Sequence, residues 1–224
     1  KESLAPQHRR KFELWRANPI GALASLRHFP NIAVICTVIV LMRLAHDANP
    51  VIFTYYVYAK FDWTPHMVSY ALVVVGALMF VVYAFLTRLV IPRIGEISAV
   101  YVGLTFGAIG FAGYAFATST WMMFAFMAPF ALMGFVMPAL NAILSKGVGP
   151  KEQGELQGAL ACIGGLTSIA APPLLTSLFS YFTSSRAPVY FPGAAFLAGS
   201  ICLVVAALVF TRIRASSPAL QPAE

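Results

Sequence analysis

Six apolar stretches, each of twenty or more residues, follow one another along this sequence, with short polar segments between them. They cover residues 30–58, 67–91, 98–117, 121–144, 156–182 and 189–211. A helix of about twenty apolar residues is long enough to cross the hydrocarbon core of a bilayer. Charged residues make up 10% of the chain, whereas soluble domains carry about 25%. The sequence therefore predicts an all-α membrane protein with six transmembrane helices.

The positions of lysine and arginine predict how these spans are oriented. Twelve of these residues fall on one side of the membrane, only Lys60 and Arg186 fall on the other, and Arg43 lies inside a span. Because lysine and arginine accumulate in cytoplasmic loops, both termini are predicted to be cytoplasmic. The net charge of +7 is then a consequence of topology, and no nucleic-acid partner is predicted.

The composition along the chain divides it into three segments. We predict a cytoplasmic linker at 1–28, a six-span domain at 29–212 and a cytoplasmic tail at 213–224. Inside the linker, Asn18 can cap a short helix and Pro19 suits its first position. Its apolar residues share one face, so we expect this helix to lie on the membrane surface. Since the chain begins at Lys1 without a methionine, we expect it to be part of a longer chain.

A cluster of polar and charged residues interrupts the first apolar stretch. It contains Arg43, His46, Asp47 and Asn49. A helix of roughly thirty residues is about 45 Å long, so the cluster is predicted near the bilayer midplane. An arginine or aspartate at that depth costs about 2.5–3.5 kcal/mol. Arg43 and Asp47 are four residues apart and can meet on one helix face, and we expect this face to border protein or a water-filled cavity.

Two interpretations of this pair are left open. In the first, Arg43 and Asp47 neutralise each other and only fix helix packing. In the second, they line a transport pathway, since an ionisable residue inside the membrane is a functional hypothesis by default. In that second case the arginine would keep Asp47 ionised, which favours a gating pair over a proton carrier.

Small residues recur at helical spacing in the third and fifth stretches, and prolines interrupt the first and fifth. The small residues are Gly103, Gly107, Gly110 and Gly113 in the third stretch, and Gly158, Ala161, Gly165 and Ser168 in the fifth. Such stripes allow close helix approach in lipid, so both are predicted to be packing surfaces. Pro50, Pro172 and Pro173 are expected to break backbone hydrogen bonding, which membranes tolerate where a helix is buried or lines a cavity.

The sequence carries no signature of an enzyme or of a metal site. It lacks the Gly-x-Ser-x-Gly and His-Glu-x-x-His motifs, which mark serine hydrolases and zinc peptidases. The cysteines Cys36, Cys162 and Cys202 have no motif spacing and are interpreted as small apolar residues. No enzymatic activity, cofactor or metal is predicted.

Several motifs together carry a family resemblance that covers essentially the whole chain. They are Leu44-Ala45-His46 with Pro50 and Lys60-Phe61-Asp62-Trp63, the turn from Arg88 to Glu96, Pro138-Ala139-Leu140, the segment from Glu152 to Ile169, and Val189 to Ala194. In these motifs the chain resembles the C-terminal half of a twelve-span major facilitator superfamily transporter. Within that superfamily it resembles the tetracycline-resistance branch of drug/proton antiporters.

The resemblance implies a mechanism and a set of partners. Two six-helix halves rock about a midplane site, and proton entry drives the efflux of a drug-like molecule. The implied partners are the lipid bilayer of the bacterial inner membrane, the small-molecule substrate, the proton and an N-terminal six-helix half. Members of the branch usually carry glutamine where this chain has Arg43, Asp47, Tyr83 and Asn141. The identity of the substrate, tetracycline included, is therefore left open.

The site residues follow from the cluster and the resemblance taken together. The candidates for the substrate pathway are Arg43, His46, Asp47, Asn49, Tyr83, Asn141 and Gln157. Tyr83, Asn141 and Gln157 could bind an aromatic substrate by stacking and hydrogen bonding, or could simply pack. Arg88, Arg93, Gly95 and Glu96 are interpreted as a cytoplasmic gating loop whose partners change between states, with membrane anchoring and a surface ion pair as the alternative. Two functional alternatives also stay open: a non-transporting six-span fragment or partner subunit, and an uptake permease.

Overall fold

The computed structural model describes residues 31–147 and 153–216, and this part of the chain is helical apart from short connections. In it, six helices are long and apolar enough to cross a membrane. They are α1 (Ile32–Phe61), α2 (Pro65–Ile94), α3 (Glu96–Phe116), α4 (Thr120–Gly147), α5 (Gln153–Thr183) and α6 (Ala194–Ser216). The prediction of an all-α membrane protein with six spans is confirmed. The predicted surface helix within 1–28 lies outside the described residues.

The last helix begins later than the apolar pattern predicts. It starts at Ala194 and not at position 189. The preceding turn lies on the end of α3, where a Cβ atom on Gly193 would be only 2.3 Å from the carbonyl oxygen of Ala115. Pro192 comes just before it and has no amide hydrogen for a helix interior. Residues 191–193 therefore pack on the end of α3 and do not continue α6, while Val189 and Tyr190 are exposed.

The two helices α3 and α6 lie at the centre of the bundle. α1 packs against α5 and α6, α3 packs against α4 and α6, and α2 packs against α4. The glycine stripe of α3 faces α4: a Cβ on Gly103 would lie 2.6 Å from Cγ2 of Val136, and one on Gly110 would lie 2.6 Å from the backbone nitrogen of Phe130. The prediction that this stripe is a packing surface is confirmed, because the two backbones approach closely only where side chains are missing.

Buried aromatic residues fix α1, α3, α4 and α6 to one another at the end of the bundle that contains Lys60. The ring centroids of Tyr56 and Phe196 are 4.9 Å apart, and those of Phe111 and Phe130 are 5.2 Å apart. The hydroxyl of Tyr56 donates a hydrogen bond to the carbonyl oxygen of Tyr114. The Lys60 ammonium donates to the Tyr56 hydroxyl and to the carbonyl oxygen of Ala115, each at 3.1 Å, and so satisfies an acceptor at the C-terminus of α3.

The small-residue stripe of α5 behaves differently from that of α3. Gly158, Ala161, Gly165 and Ser168 are all exposed. Among the described residues, no atom comes within 4 Å of a Cβ built on Gly158 or Gly165. Within the described six-helix unit this stripe makes no helix contact, because the helices that α5 contacts lie on its other faces. Its packing against a helix outside this unit stays a prediction.

Two helices depart from α geometry, at positions other than the prolines. Pro50 lies inside an α1 that is helical throughout, and Pro172 and Pro173 lie inside an equally continuous α5. Each proline lacks the N–H of one helical hydrogen bond, as expected, but none of the three interrupts its helix. Instead, α2 contains a π-helical turn at Val82–Leu86, and α4 contains a 3-10 turn at Met133–Phe135.

Candidate functional site

A cavity of about 180 Å³ lies between α1, α2 and α4, midway along these helices. We call it the Arg43 cavity. It is lined by Met42, Arg43, His46, Met79, Tyr83, Met133, Gly134 and Met137. Three predicted pathway residues, Arg43, His46 and Tyr83, are thus brought together. These helices are long and apolar enough to cross a membrane, so we expect the cavity and its ionisable side chains near the middle of the bilayer.

The methionines of this cavity are the residues that sequence reasoning missed. Four of the chain's eight methionines line it. Met133 and Met137 are four residues apart, so they share one face of α4. That spacing is a usable signal, but a methionine in an apolar span is normally read as ordinary packing. Here the thioethers form a soft, adaptable wall beside a charged side chain.

The two irregular turns meet at the cavity. Tyr83 belongs to the π-helical turn of α2, and Gly134 belongs to the 3-10 turn of α4. A Cβ on Gly134 would lie 3.3 Å from Cζ of Tyr83 and 3.1 Å from Cγ1 of Val82. The Thr87 hydroxyl donates hydrogen bonds to the carbonyl oxygens of Val82 at 2.6 Å and Tyr83 at 2.9 Å. π-helical turns of this kind occur frequently at functional sites, and this one aims the Tyr83 ring into the cavity.

Arg43 contacts α5 as well as the cavity. A Cβ on Gly164 would lie 3.2 Å from Cζ of Arg43 and 3.4 Å from its Nη1. The Nε atom of Arg43 is buried without a hydrogen-bond partner. Among the described residues the ion pairs are His46 with Asp47 and Lys146 with Glu96. The pairing of Arg43 with Asp47 that their spacing allows is therefore not formed, because the guanidinium lies towards α5 and the cavity.

Asp47 faces His46 instead of Arg43. Its Oδ1 atom is 3.8 Å from Nδ1 of His46, and its Oδ2 atom is buried without a hydrogen-bond partner. The His46 side chain is 49% exposed, and its ring stacks on Phe130 with centroids 6.5 Å apart. His46 lines the cavity, whereas Asp47 does not. The imidazole therefore lies between the carboxylate and the cavity.

The other three predicted pathway residues do not line the Arg43 cavity. Asn141 lies on α4 one turn beyond Met137, and its Oδ1 atom is buried without a hydrogen-bond partner. Gln157 is exposed on α5, and Asn49 is half-buried on α1. Their place in the pathway stays a prediction.

The predicted gating loop lies at the opposite end of the bundle from Lys60. Gly95 alone joins α2 to α3 and has a φ of 80°, a conformation that glycine adopts at no steric cost. Glu96 pairs with Lys146 at 2.5 Å, while Arg88 and Arg93 are exposed. The partner of Glu96 is thus a residue of α4, which sequence reasoning counted only as a positive charge. The latch remains a prediction.

The described residues offer no obvious metal site. No group of three or more histidine, cysteine, aspartate and glutamate side chains could hold a metal ion within 31–147 and 153–216. The chemistry that the Arg43 cavity offers is therefore that of one guanidinium, one imidazole, one phenol and four thioethers.

Comparison with known proteins identifies the family of this chain. The family model of the Major Facilitator Superfamily matches residues 19–224. The chain belongs to the Major Facilitator Superfamily. The predicted superfamily is confirmed, and so is the prediction that the chain belongs to a family of transporters and not of enzymes. With its six spans, this superfamily member is a multi-pass membrane protein.

Individual relatives of this superfamily member include tetracycline resistance proteins. The class C protein of Escherichia coli is 34% identical over 177 residues, which are 79% of this chain and 45% of that protein. The class G protein of Vibrio anguillarum is 38% identical over 121 residues, which are 54% of this chain and 31% of that protein. The Hippocampus abundant transcript 1 protein of Mus musculus is 26% identical over 167 residues, 75% of this chain and 34% of that protein.

The chain spans less than half the length of each of these relatives. No solved structure matches it significantly. The predicted resemblance to the tetracycline-resistance branch is confirmed by the two resistance proteins.

Proposed function

We propose that this chain is the C-terminal six-helix half of a secondary transporter that exports a drug-like small molecule in exchange for protons. The observation that carries the proposal is the Arg43 cavity: a guanidinium, an imidazole and a phenol converge on one space midway along three membrane-spanning helices. Polar groups at that depth are costly and mark substrate or ion pathways. Alternating access about such a midplane site is the general scheme of secondary transporters.

Two helices of this chain, α2 and α5, have exposed faces that a second six-helix half would cover. In the most apolar segment of α2 only 17% of the residues are buried, whereas in that of α3 61% are buried. The exposed stripe of α5, defined by Gly158, Ala161, Gly165 and Ser168, has the composition of a close helix contact. The relatives are at least twice as long as the matched segment. We therefore assign these faces to an N-terminal half of the same transporter.

Asp47 and His46 are our candidates for the proton step in this half. The carboxylate and the imidazole are 3.8 Å apart, close enough for a modest movement to bring them into hydrogen-bond distance. Arg43 is separate from this pair and is left to the substrate. This replaces the gating pair of Arg43 and Asp47 that the spacing suggested.

The orientation completes the proposal. The excess of lysine and arginine places the end of the bundle at Gly95 in the cytoplasm, and both termini with it. The membrane is the bacterial inner membrane, as the bacterial resistance proteins among the relatives favour. Tetracycline is a candidate substrate because those relatives are named for tetracycline resistance, and the chain's own Arg43 and Asp47 make other drugs equal candidates.

The test is export from cells that lack their own efflux pumps. The intact protein, as its gene encodes it, is expressed, and a panel of drugs including tetracycline is screened for reduced accumulation. We expect at least one drug to be excluded, and an uncoupler to abolish the exclusion. Faster accumulation that the uncoupler also abolishes would identify an uptake permease. An unchanged accumulation of every drug would identify a non-transporting six-span fragment or partner subunit.

A further inference from the structure

The charge that faces the Arg43 cavity is positive. Arg43 lines it and, as a guanidinium, stays protonated at any pH of interest. The nearest carboxylate on the same helix is that of Asp47, which does not line the cavity and has its Oδ1 atom directed to His46. Neither ion pair of the described residues includes Arg43. A ligand in this cavity therefore meets an uncompensated cation.

The guanidinium also has an unused donor. Its Nε atom is buried and has no hydrogen-bond partner. That atom faces α5, where a Cβ on Gly164 would lie 3.5 Å from it, so Nε is not the donor that a ligand in the cavity would meet. The planar guanidinium of Arg43 matches the paired oxygens of a carboxylate or a phosphate. The carboxylate, which is the smaller and planar of the two, suits a cavity of about 180 Å³.

The size and the walls of the cavity describe the rest of the ligand. A cavity of about 150 Å³ holds one benzene molecule, and the Arg43 cavity has a volume of about 180 Å³. The Tyr83 ring and the four methionine side chains surround this space. Thioethers make favourable contacts with aromatic rings, so one aromatic ring fits both the volume and the lining.

We infer that the Arg43 cavity takes the carboxylate-bearing ring of an aromatic organic anion, with the carboxylate on Arg43 and the ring among the methionines and Tyr83. The inference rests on the proposed function, whose substrate it narrows to aromatic carboxylates. A cluster of thioethers alone would favour a soft monovalent cation such as silver, but the guanidinium in the same wall repels a cation. The charge of Arg43 decides between the two ligands.

Binding to the purified intact protein tests this with matched probes. Benzoate is compared with benzamide, which has the same shape without the charge, and with benzylamine, which is a cation. We expect benzoate to bind saturably and to raise the melting temperature, and the two other compounds to bind at least about tenfold more weakly. Benzamide binding as tightly as benzoate, or no saturable benzoate binding, would overturn the inference.

Substitutions at one position localise the effect. Arg43→Gln is expected to weaken benzoate binding by about tenfold or more, and Arg43→Lys to retain part of the affinity, because it keeps the charge and loses the planar edge. Arg186→Gln, an exposed arginine outside the cavity, is the matched control and should leave binding unchanged. The melting temperatures without ligand show whether each variant is folded. Silver binding that survives Arg43→Gln and is lost in Met137→Leu would also overturn the inference.

Export assays separate this inference from the proposed function. If the intact protein binds benzoate through Arg43 but exports nothing, the proposed function fails and the ligand assignment stands. If it exports a neutral or cationic drug and Arg43→Gln has no effect on benzoate, the ligand assignment fails and the transporter stands.

Discussion

The guanidinium of Arg43 rests against the backbone of Gly164, where a Cβ atom would lie 3.2 Å from Cζ of the arginine. The glycine is on α5 and the arginine is on α1, so this contact sets the distance between the two helices at the level of the cavity. It also holds the guanidinium away from Asp47. A larger residue at position 164 would push the arginine into the cavity.

The first prediction follows from this contact. Gly164→Ala should change export by no more than about twofold, because the neighbour is the end of a flexible side chain. Gly164→Leu should reduce export by about tenfold, which corresponds to about 1.4 kcal/mol in the transport barrier, because the larger side chain displaces the guanidinium from α5. Export by the intact protein measures this. Gly147→Leu, at the end of α4, is the control, since no atom of the described residues lies within 4 Å of a Cβ on Gly147. Normal export by Gly164→Leu would show that the contact does not matter.

The second prediction concerns the carboxylate beside His46. Asp47→Asn should abolish export driven by a proton gradient, because an amide cannot exchange a proton with the imidazole 3.8 Å away. Binding of the exported drug should persist, since Asp47 does not line the cavity. Drug efflux from proteoliposomes with an imposed pH gradient is the measurement. Asp62→Asn, at an exposed helix end with a φ of 50°, is the control, as asparagine tolerates that backbone. Wild-type transport by Asp47→Asn would remove the residue from the proton step.

The third prediction distinguishes a gate from an anchor at the Gly95 end. The ion pair of Lys146 and Glu96 involves a lysine side chain that is 66% exposed, so Lys146→Ala should lower the free energy of unfolding by less than about 1 kcal/mol. If the pair belongs to a gate, export falls despite this small change.

Arg88→Ala should likewise impair export without altering the topology seen by cysteine labelling, and Arg186→Ala is its control. Lost membrane insertion of Arg88→Ala would favour the anchor.

The fourth prediction tests the close contact of α3 and α4. Gly110→Ala should destabilise the protein by about 1–3 kcal/mol or more, because its Cβ would lie 2.6 Å from the backbone nitrogen of Phe130, which cannot turn aside as a side chain can. Gly147→Ala should have no such effect, since no atom in the described part of the chain lies within 4 Å of a Cβ on Gly147. Thermal unfolding in detergent compares the two variants. Equal melting temperatures would mean that the two helices separate at little cost.

The number and type of the helices could be read from the sequence, since the hydrophobicity of each span is a local property. The irregular turns could not be read in the same way. Prolines were the visible candidates, yet Pro50 sits inside a continuous α1 and the π-helical turn begins at Val82, in a run of ordinary apolar residues. The Thr87 hydroxyl donates hydrogen bonds to two carbonyl oxygens of that turn. A threonine bonds to a preceding carbonyl oxygen in a regular helix as well, so its presence in the sequence does not predict a π-helical turn.

The residues of the Arg43 cavity were likewise only partly predictable from the sequence. Arg43 and His46 stood out because charge is rare at that depth, but the contacts of Arg43 with Gly164 and of His46 with Phe130 depend on other helices. Spacing along α1 favoured Asp47 as the partner of Arg43. The guanidinium lies instead against Gly164 of α5, and spacing along α1 cannot predict this contact. The spacing of Met133 and Met137 places them on one face of α4, but only the packing of α1, α2 and α4 shows that this face lines a cavity.

A linker of one residue leaves almost no slack between α2 and α3. Gly95 is that residue, and α3 is in turn locked to α4 through its glycines. When α2 tilts during a transport cycle, the displacement cannot be taken up where it meets its successor. It has to be absorbed within α2 itself, and the π-helical turn that carries Tyr83 is the place where its hydrogen-bond ladder is already loosened. Bending of α2 and reorientation of the Tyr83 ring would then be one and the same motion.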